Sequence, residues 1–378
     1  MINLYQPDLG TKEIEAIAKV FKSNWIGKGI MCDKFEEKFS LLQKSNKENF
    51  FSISSCTEGL FLSIKALDID ESSEVIVPSI SFVAAGSAVL GQGVKLVICD
   101  VDPHSLNVRA EDIEKVVSNR TKAVIINHYG GHSAPMDQIT EVCERYNIAI
   151  IEDAACAINS TFNGQACGTF GDISVWSFDA MKAISTGDGG MVYAKEKKVI
   201  ERCKKLIYLG LPPSMKSGTD KQNSNPDDIW WDYQIDEFGR RSIMNDITAS
   251  IGLEQLKRLP EFLTRRKEIF NLYSNLLKNN PLVKLPPKPH KNSTSSYYMY
   301  WIQTDNRDKL AKFLKDNGVY TSFRYWPLNF INKFKTDNQE ILPNTEFIAK
   351  NTLNLPMHTS LLDKDIRFIC ELINSFLK

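Results

Sequence analysis

Residues Ser174–Gly190 read SVWSFDAMKAISTGDGG, and the reading of this stretch decides the fold. It opens with a short apolar strand pattern ending in Ser177-Phe178. Lys182 follows among small and apolar neighbours. Gly187-Asp188-Gly189-Gly190 then asks for a tight backbone turn. A lysine just past a strand end, hemmed in by glycine, is placed to form a Schiff base, because burial lowers its pKa and leaves a nucleophilic amine. The same window also describes an ordinary strand-to-strand connector with a surface lysine. The flanking chain separates the two readings.

Working outward, continuous apolar runs recur at Phe50–Ile53, Glu74–Pro78, Lys95–Asp100, Lys122–Asn127, Ile148–Glu152 and Met191–Ala194. Helical patterns of roughly ten to fifteen residues lie between most of them. Apolar strands alternating with helices predict an α/β fold, a parallel sheet covered on both faces. In such sheets ligands gather at the carboxyl ends of the strands. Polar residues fall at those ends: Ser55 and Thr57, His128, Asp153, Ser177 and Lys182, with Phe82 beside them.

The N-terminal Thr11–Lys22 has helical periodicity, and Asn24-Trp25-Ile26-Gly27 interrupts it before a second helix from Cys32. Past residue 197 the chain is helical to Leu209, and the polar stretch 212–228 reads as a loop. Asn245-Asp246 begins a helix through Leu259, Pro260 predicts a break, and a further helix reaches Lys278. Leu285–His290 (LPPKPH) reads as a linker. The tail reads as strand (YYMYWIQT), helix, strand (VYTSFRYW) and helix, a small α+β domain. The expected division is a large domain over 1–255, followed by linking helices and the small domain over 256–378.

The 378 residues carry zero formal net charge, so nucleic acid is not an expected partner. No apolar stretch approaches a membrane span and no signal peptide is visible, so a cytoplasmic protein is expected. Eight scattered cysteines form no CxxC pair, and five histidines show no metal-ligand spacing. No metal is expected.

Each strand-end residue has an unremarkable reading when taken singly. Asp153 could serve a structural hydrogen bond, Phe82 could be core, and the Ser55–Thr57 turn could be a plain helix cap. Together, a lysine, a strand-end aspartate, a hydroxyl-rich helix start and an aromatic ring make a site for pyridoxal 5'-phosphate. The lysine carries the Schiff base, the aspartate keeps the ring nitrogen protonated, the ring stacks, and the helix start binds phosphate.

An ordered set of motifs then resembles the DegT/StrS type of nucleotide-sugar aminotransferase nearly end to end. The set comprises Asn24-Trp25-Ile26 with Phe35-Glu36, Ser55-Cys56-Thr57, Ser81–Ala84, Glu152–Ala155 and Gly168–Gly171. It continues through Ser177-Phe178…Lys182…Gly187–Gly190, Met244–Ile247, Ile251–Leu256, Tyr325–Leu328 and Leu355–His358. The resemblance implies the fold type I (aspartate aminotransferase-like) architecture, a mostly parallel sheet covered by helices with a small C-terminal α+β domain. It implies that Lys182 is the Schiff-base and proton-transfer lysine, that Asp153 pairs with the cofactor nitrogen, and that Phe82 stacks on the ring. Cys56, Thr57 and Ser177 would surround the phosphate, with Cys156 beside the cofactor and Arg241 reaching it from the other subunit of a homodimer. Trp25, Ile26, Arg324 and Tyr325 are expected near the substrate. The implied substrates are L-glutamate and a nucleotide-linked keto-deoxysugar aminated at C3 or C4, for surface polysaccharide, lipopolysaccharide or other glycans.

The chain departs from the family pattern at Cys156, where glutamine is usual, and at Tyr298, Arg324 and Asn329, where histidines are common. Two other readings therefore stay open here: a cofactor-dependent dehydratase or eliminase, and a cofactor-binding regulator without catalysis. Lys182 argues against the dehydratase branch, which carries histidine at that position.

Overall fold

A computed structural model describes residues 1–211, 234–335 and 341–378. The 212–228 stretch lies outside the described residues. The strands are β1 (Phe50–Ile53), β2 (Glu74–Pro78), β3 (Lys95–Cys99), β4 (Thr121–Asn127), β5 (Ala149–Asp153), β6 (Thr161–Phe162), β7 (Gln165–Ala166), β8 (Ile173–Ser177), β9 (Gly190–Ala194), β10 (Tyr300–Gln303) and β11 (Thr352–Leu355). The helices are α1 (Thr11–Lys22), α2 (Ile30–Leu42), α3 (Cys56–Ala66), α4 (Val83–Leu90), α5 (Ala110–Glu114), α6 (Met136–Tyr146), α7 (Lys197–Leu206), α8 (Asp246–Leu277), α9 (Arg307–Asp316), α10 (Pro343–Asn351) and α11 (Asp363–Phe376).

Seven strands form the central sheet in the order β1-β9-β8-β5-β4-β2-β3. Neighbours from β8 to β3 are parallel, whereas β9 is antiparallel to both β8 and β1. Only β9 therefore runs against the rest. The turns after Ile53, Asn127, Asp153 and Ser177 all open on one edge of the sheet. The β8–β9 hairpin pairs Ser177 with Gly190, so the loop carrying Lys182 closes over that same edge.

Both faces of the sheet are buried, as the continuous apolar strands require. Val75, Val77, Ile125, Ile151 and Val175 pack to one side with α3, α4 and α7. Ile76, Val124, Ile126 and Ile150 pack to the other with α6. A further core under β10 and β11 joins α8, α9 and α11.

Two expectations are corrected. Pro260 does not break the helix: α8 runs from Asp246 to Leu277 with the proline inside, across the expected 255/256 division. Proline removes one intrahelical hydrogen bond, but α8 is held along its length. Gln255 donates to Glu13 at 2.7 Å, Arg258 pairs with Asp8, and Phe262, Ile269 and Tyr273 are buried. In the tail, VYTSFRYW forms no strand. It makes only single bridges at Val319 and Ser322, and the sheet partner of β10 is β11, which follows α10. The expected strand is instead an irregular segment that delivers Arg324 and Tyr325 to the sheet edge.

His132 lies at the seam between the large sheet and the C-terminal region, ringed by Phe270, Tyr297 and Trp301 at 5.5–5.8 Å. Neither ring nitrogen has a partner among the described residues. Burial pushes it down to about 3 from an ordinary 6.5, with His290 adding to the shift. Below the ordinary value the unfolded chain binds a proton that the fold refuses, so this histidine's stabilising effect is full above pH 6.5 and is lost as pH falls toward 3. The slope is on the order of 1.4 kcal/mol per pH unit. His132→Phe is expected to flatten that part of the acid dependence, measured by urea unfolding at stepwise pH.

Candidate active site

The site is built on the sheet edge where the strand ends converge. After β1, Ser55 caps α3 by accepting from the Glu58 N–H at 3.1 Å. Cys56 and Thr57 follow in the first turn and line the cavity. The unpaired N–H groups of that turn carry the positive end of the helix dipole. Gly190 lets β9 start against this turn, since a Cβ there would stand 2.9 Å from the Cys56 nitrogen. Ser177, at the end of β8, reaches the same cavity and accepts from the Asp179 N–H at 3.3 Å.

Two adjacent carboxylates at the end of β5 have different tasks. Glu152 is wholly buried and saturated: it accepts from the N–H groups of Gly168, Phe170 and Gly171 at 2.6–2.7 Å and contacts His128 Nε2 at 2.9 Å. His128 Nδ1 accepts from the Ala134 N–H at 3.2 Å, so Nε2 holds the proton and donates it to Glu152. Gly168, with φ +95°, is required at this turn, because a Cβ would lie 2.0 Å from the Trp176 ring.

Asp153, by contrast, faces the cavity. Its Oδ1 accepts from the Ala155 N–H at 3.1 Å, with the Cys56 thiol 4.0 Å away. Its second oxygen has no donor among the described residues. Burial pushes this carboxyl up, against the opposing pull of Lys182.

Lys182 Nζ donates to Cys156 Sγ at 3.7 Å and lies 4.9 Å above the Tyr298 ring. Burial alone would push the ammonium down. Cys156, Tyr298 and Asp153 push it up and prevail, so its pKa is raised above the ordinary lysine value. The expectation of a lowered pKa is corrected for this reason: the lysine shares its pocket with a carboxyl and polar groups that favour the ammonium. Burial pushes the Cys56 and Cys156 thiols up as well, against the opposing pull of Lys182.

Phe82, the residue before α4, keeps 44% of its surface exposed and faces Tyr325 with ring centroids 5.4 Å apart. Tyr325 Oη lies 3.7 Å from Cys156 Sγ. With Arg324, these residues wall a cavity of about 330 Å³.

Nine of the expected residues thus share one cavity: Cys56, Thr57, Phe82, Asp153, Cys156, Ser177, Lys182, Arg324 and Tyr325. Three do not line it. Arg241 is exposed, with its guanidinium 5.1 Å over the Tyr208 ring. Trp25 turns its indole N–H to the Lys28 carbonyl at 3.1 Å, and Ile26 is exposed. Their loop is fastened by Asp246, whose Oδ1 accepts from Gly29 and Cys32 at 2.8 and 3.0 Å. Sequence reading missed Tyr5, which stacks on Tyr298 at 5.3 Å. Nothing local in residues 1–10 signals a neighbour almost three hundred positions away.

Pyridoxal 5'-phosphate fits this donor set. The half-satisfied Asp153 offers a carboxyl oxygen to a protonated ring nitrogen. The capped start of α3 with Thr57 and Ser177 offers N–H and hydroxyl groups to a phosphate. Phe82 offers a ring face, and Lys182 is the one lysine among the lining residues.

The model of the DegT/DnrJ/EryC1/StrS aminotransferase family matches residues 7–374. The chain is 43% identical over 373 residues to dTDP-4-dehydro-2,3,6-trideoxy-D-glucose 4-aminotransferase of Saccharopolyspora spinosa, covering 98% of this chain and 95% of that protein. It is 32% identical to GDP-perosamine synthase of Escherichia coli O157:H7, covering 99% and 98%. The crystal structure of aminotransferase TlmJ from Streptoalloteichus hindustanus superposes with a TM-score of 0.93 at 42% identity, covering 99% of this chain and 98% of that one.

Proposed function

The chain belongs to the DegT/DnrJ/EryC1/StrS aminotransferase family of pyridoxal-phosphate enzymes, and from that premise we propose that it moves the amino group of L-glutamate to a nucleotide-linked keto-deoxysugar. The observation that carries this reading is Lys182 and Asp153 in one cavity with the N-terminus of α3. The dTDP-sugar relative, at 43% identity, favours a dTDP-linked 4-keto sugar over a C3 substrate. The product is an amino sugar for surface polysaccharide, lipopolysaccharide or another glycan.

When bound, the cofactor supplies an electron sink for the carbon that loses its proton. The chain's residues do the rest. Lys182 Nζ, in its neutral form, would take the proton from the donor's α-carbon in the first half-reaction and deliver one to the sugar carbon in the second. Asp153 holds a positive charge at the cofactor nitrogen. The start of α3, Thr57 and Ser177 would hold the phosphate, and Phe82 would offer a ring face, with Tyr325 and Cys156 lining the same cavity.

Arg241 is exposed and turned from its own chain's cavity, which supports a homodimer in which it serves the partner's phosphate site. The test is to give the holoenzyme L-glutamate and dTDP-4-dehydro-2,3,6-trideoxy-D-glucose. One equivalent of 2-oxoglutarate per amino sugar is expected by mass spectrometry. Loss of water from the sugar without 2-oxoglutarate would overturn the reading.

A further inference from the structure

Lys182 is not the only cation supported on tyrosine in this cavity. Its Nζ lies over one face of the Tyr298 ring, and Tyr5 stacks on Tyr298 with an interplanar angle of 4°. The guanidinium of Arg324 lies 5.7 Å from the Tyr5 ring. A two-ring stack therefore links the lysine to an arginine, and both line the same cavity. A cation over an aromatic face is held without losing its charge.

The root of Arg324 is locked. Its N–H donates to Asn354 Oδ1 at 2.7 Å, its carbonyl accepts from the Tyr129 hydroxyl, and Asn354 Nδ2 donates to that same hydroxyl at 3.2 Å. No carboxylate among the described residues pairs with its guanidinium, whereas Arg109, Arg202, Arg258 and Arg265 all have acidic partners. Arg266, the buried cation behind Tyr298, spends its Nη1 on the Tyr298 and Met357 carbonyls and does not line the cavity. Arg324 thus has a fixed backbone and lines the same cavity as Lys182, with no carboxylate among the described residues to occupy its planar donor fork.

We propose that Arg324 is the carboxylate-binding residue for the amino-acid donor, with Tyr5 as its positioning residue. This rests on the aminotransferase reading above. An α-amino acid carries its carboxylate one bond from the carbon that must meet Lys182. A nucleotide-linked sugar carries its diphosphate across the ring from a reacting C4. A cation within the lysine's own cavity suits the first anion, and an arginine fork suits a carboxylate bidentately.

The experiment titrates the yellow holoenzyme with L-glutamate, following loss of the visible band, and with dTDP, following heat. Arg324→Gln is expected to weaken glutamate roughly 10- to 100-fold, the loss of a charged hydrogen-bond pair, and dTDP less than threefold. Arg324→Lys is expected to fall between wild type and Arg324→Gln for glutamate. Tyr5→Leu, which removes the ring but leaves the arginine, is expected to weaken glutamate in the same selective sense. A variant that loses dTDP affinity and keeps glutamate affinity would overturn the assignment and give Arg324 to the nucleotide. Equal glutamate titrations for wild type and Arg324→Gln would overturn it while leaving the aminotransferase reading intact. A wild-type enzyme that bleaches with no α-amino acid would overturn both.

Discussion

Lys182→Ala is expected to abolish amino transfer, with turnover falling by about 10⁴-fold or more, because in the proposed mechanism one residue both forms the covalent link and moves the proton. Among the described residues no other lysine lines the cavity to replace it. The variant should still fold, since the lysine's polar contact is one long bond to Cys156, and its ring contact is to Tyr298. The loop that carries it is held separately, by the Lys182 N–H on the Asp179 carbonyl and the Thr186 N–H on the Phe178 carbonyl, both at 2.9 Å. Two measurements check this. Mass spectrometry after borohydride reduction should show the cofactor fixed to the wild-type chain and absent from the variant. Assay of 2-oxoglutarate should show product from the wild type alone. Wild-type turnover in the variant would sink the mechanism.

Asp153→Asn is expected to lower turnover by about 10²- to 10³-fold, in the range seen when one preorganised electrostatic partner is removed from a site. The amide is nearly the same size and can keep the bond from the Ala155 N–H, so packing is preserved. What it loses is the negative charge that, in the proposed mechanism, would face a protonated ring nitrogen. Glu152, one residue away, cannot substitute. Its side chain points to the opposite face of the strand and is saturated by three backbone N–H groups and His128. A single-turnover measurement with L-glutamate distinguishes slowed proton transfer from weakened binding. A variant with an unchanged single-turnover rate would remove Asp153 from the mechanism.

Most of the candidate site was legible in the sequence because its residues sit at strand ends. A continuous apolar run announces a buried strand, and the first polar residues after it must emerge at the sheet edge. Asp153 after β5, Ser177 after β8 and Ser55–Thr57 after β1 follow this rule. The small domain was less legible. VYTSFRYW alternates as a strand would, yet it has no long partner to pair with, and β11 is buried immediately behind α10 with no turn signal between them. Pro260 misled in the same way. A local rule for helix ends was overridden by packing along a helix of 32 residues.

By itself the sequence determined the alternation of strands and helices, the lysine, the aspartate and the helix start, because each rests on neighbours within a few residues. The direction of the Lys182 pKa shift and the company of Arg324 were decided only by the tertiary structure. Burial of the lysine was foreseeable from SVWSFDAMKAISTGDGG; the groups that oppose the effect of that burial come from positions 153, 156 and 298. The stack that joins Lys182 to Arg324 takes Tyr5 from one end of the chain and Tyr298 from near the other. A pKa and a cation's support are sums over spatial neighbours, and sequence spacing carries no record of them until the sheet brings them together.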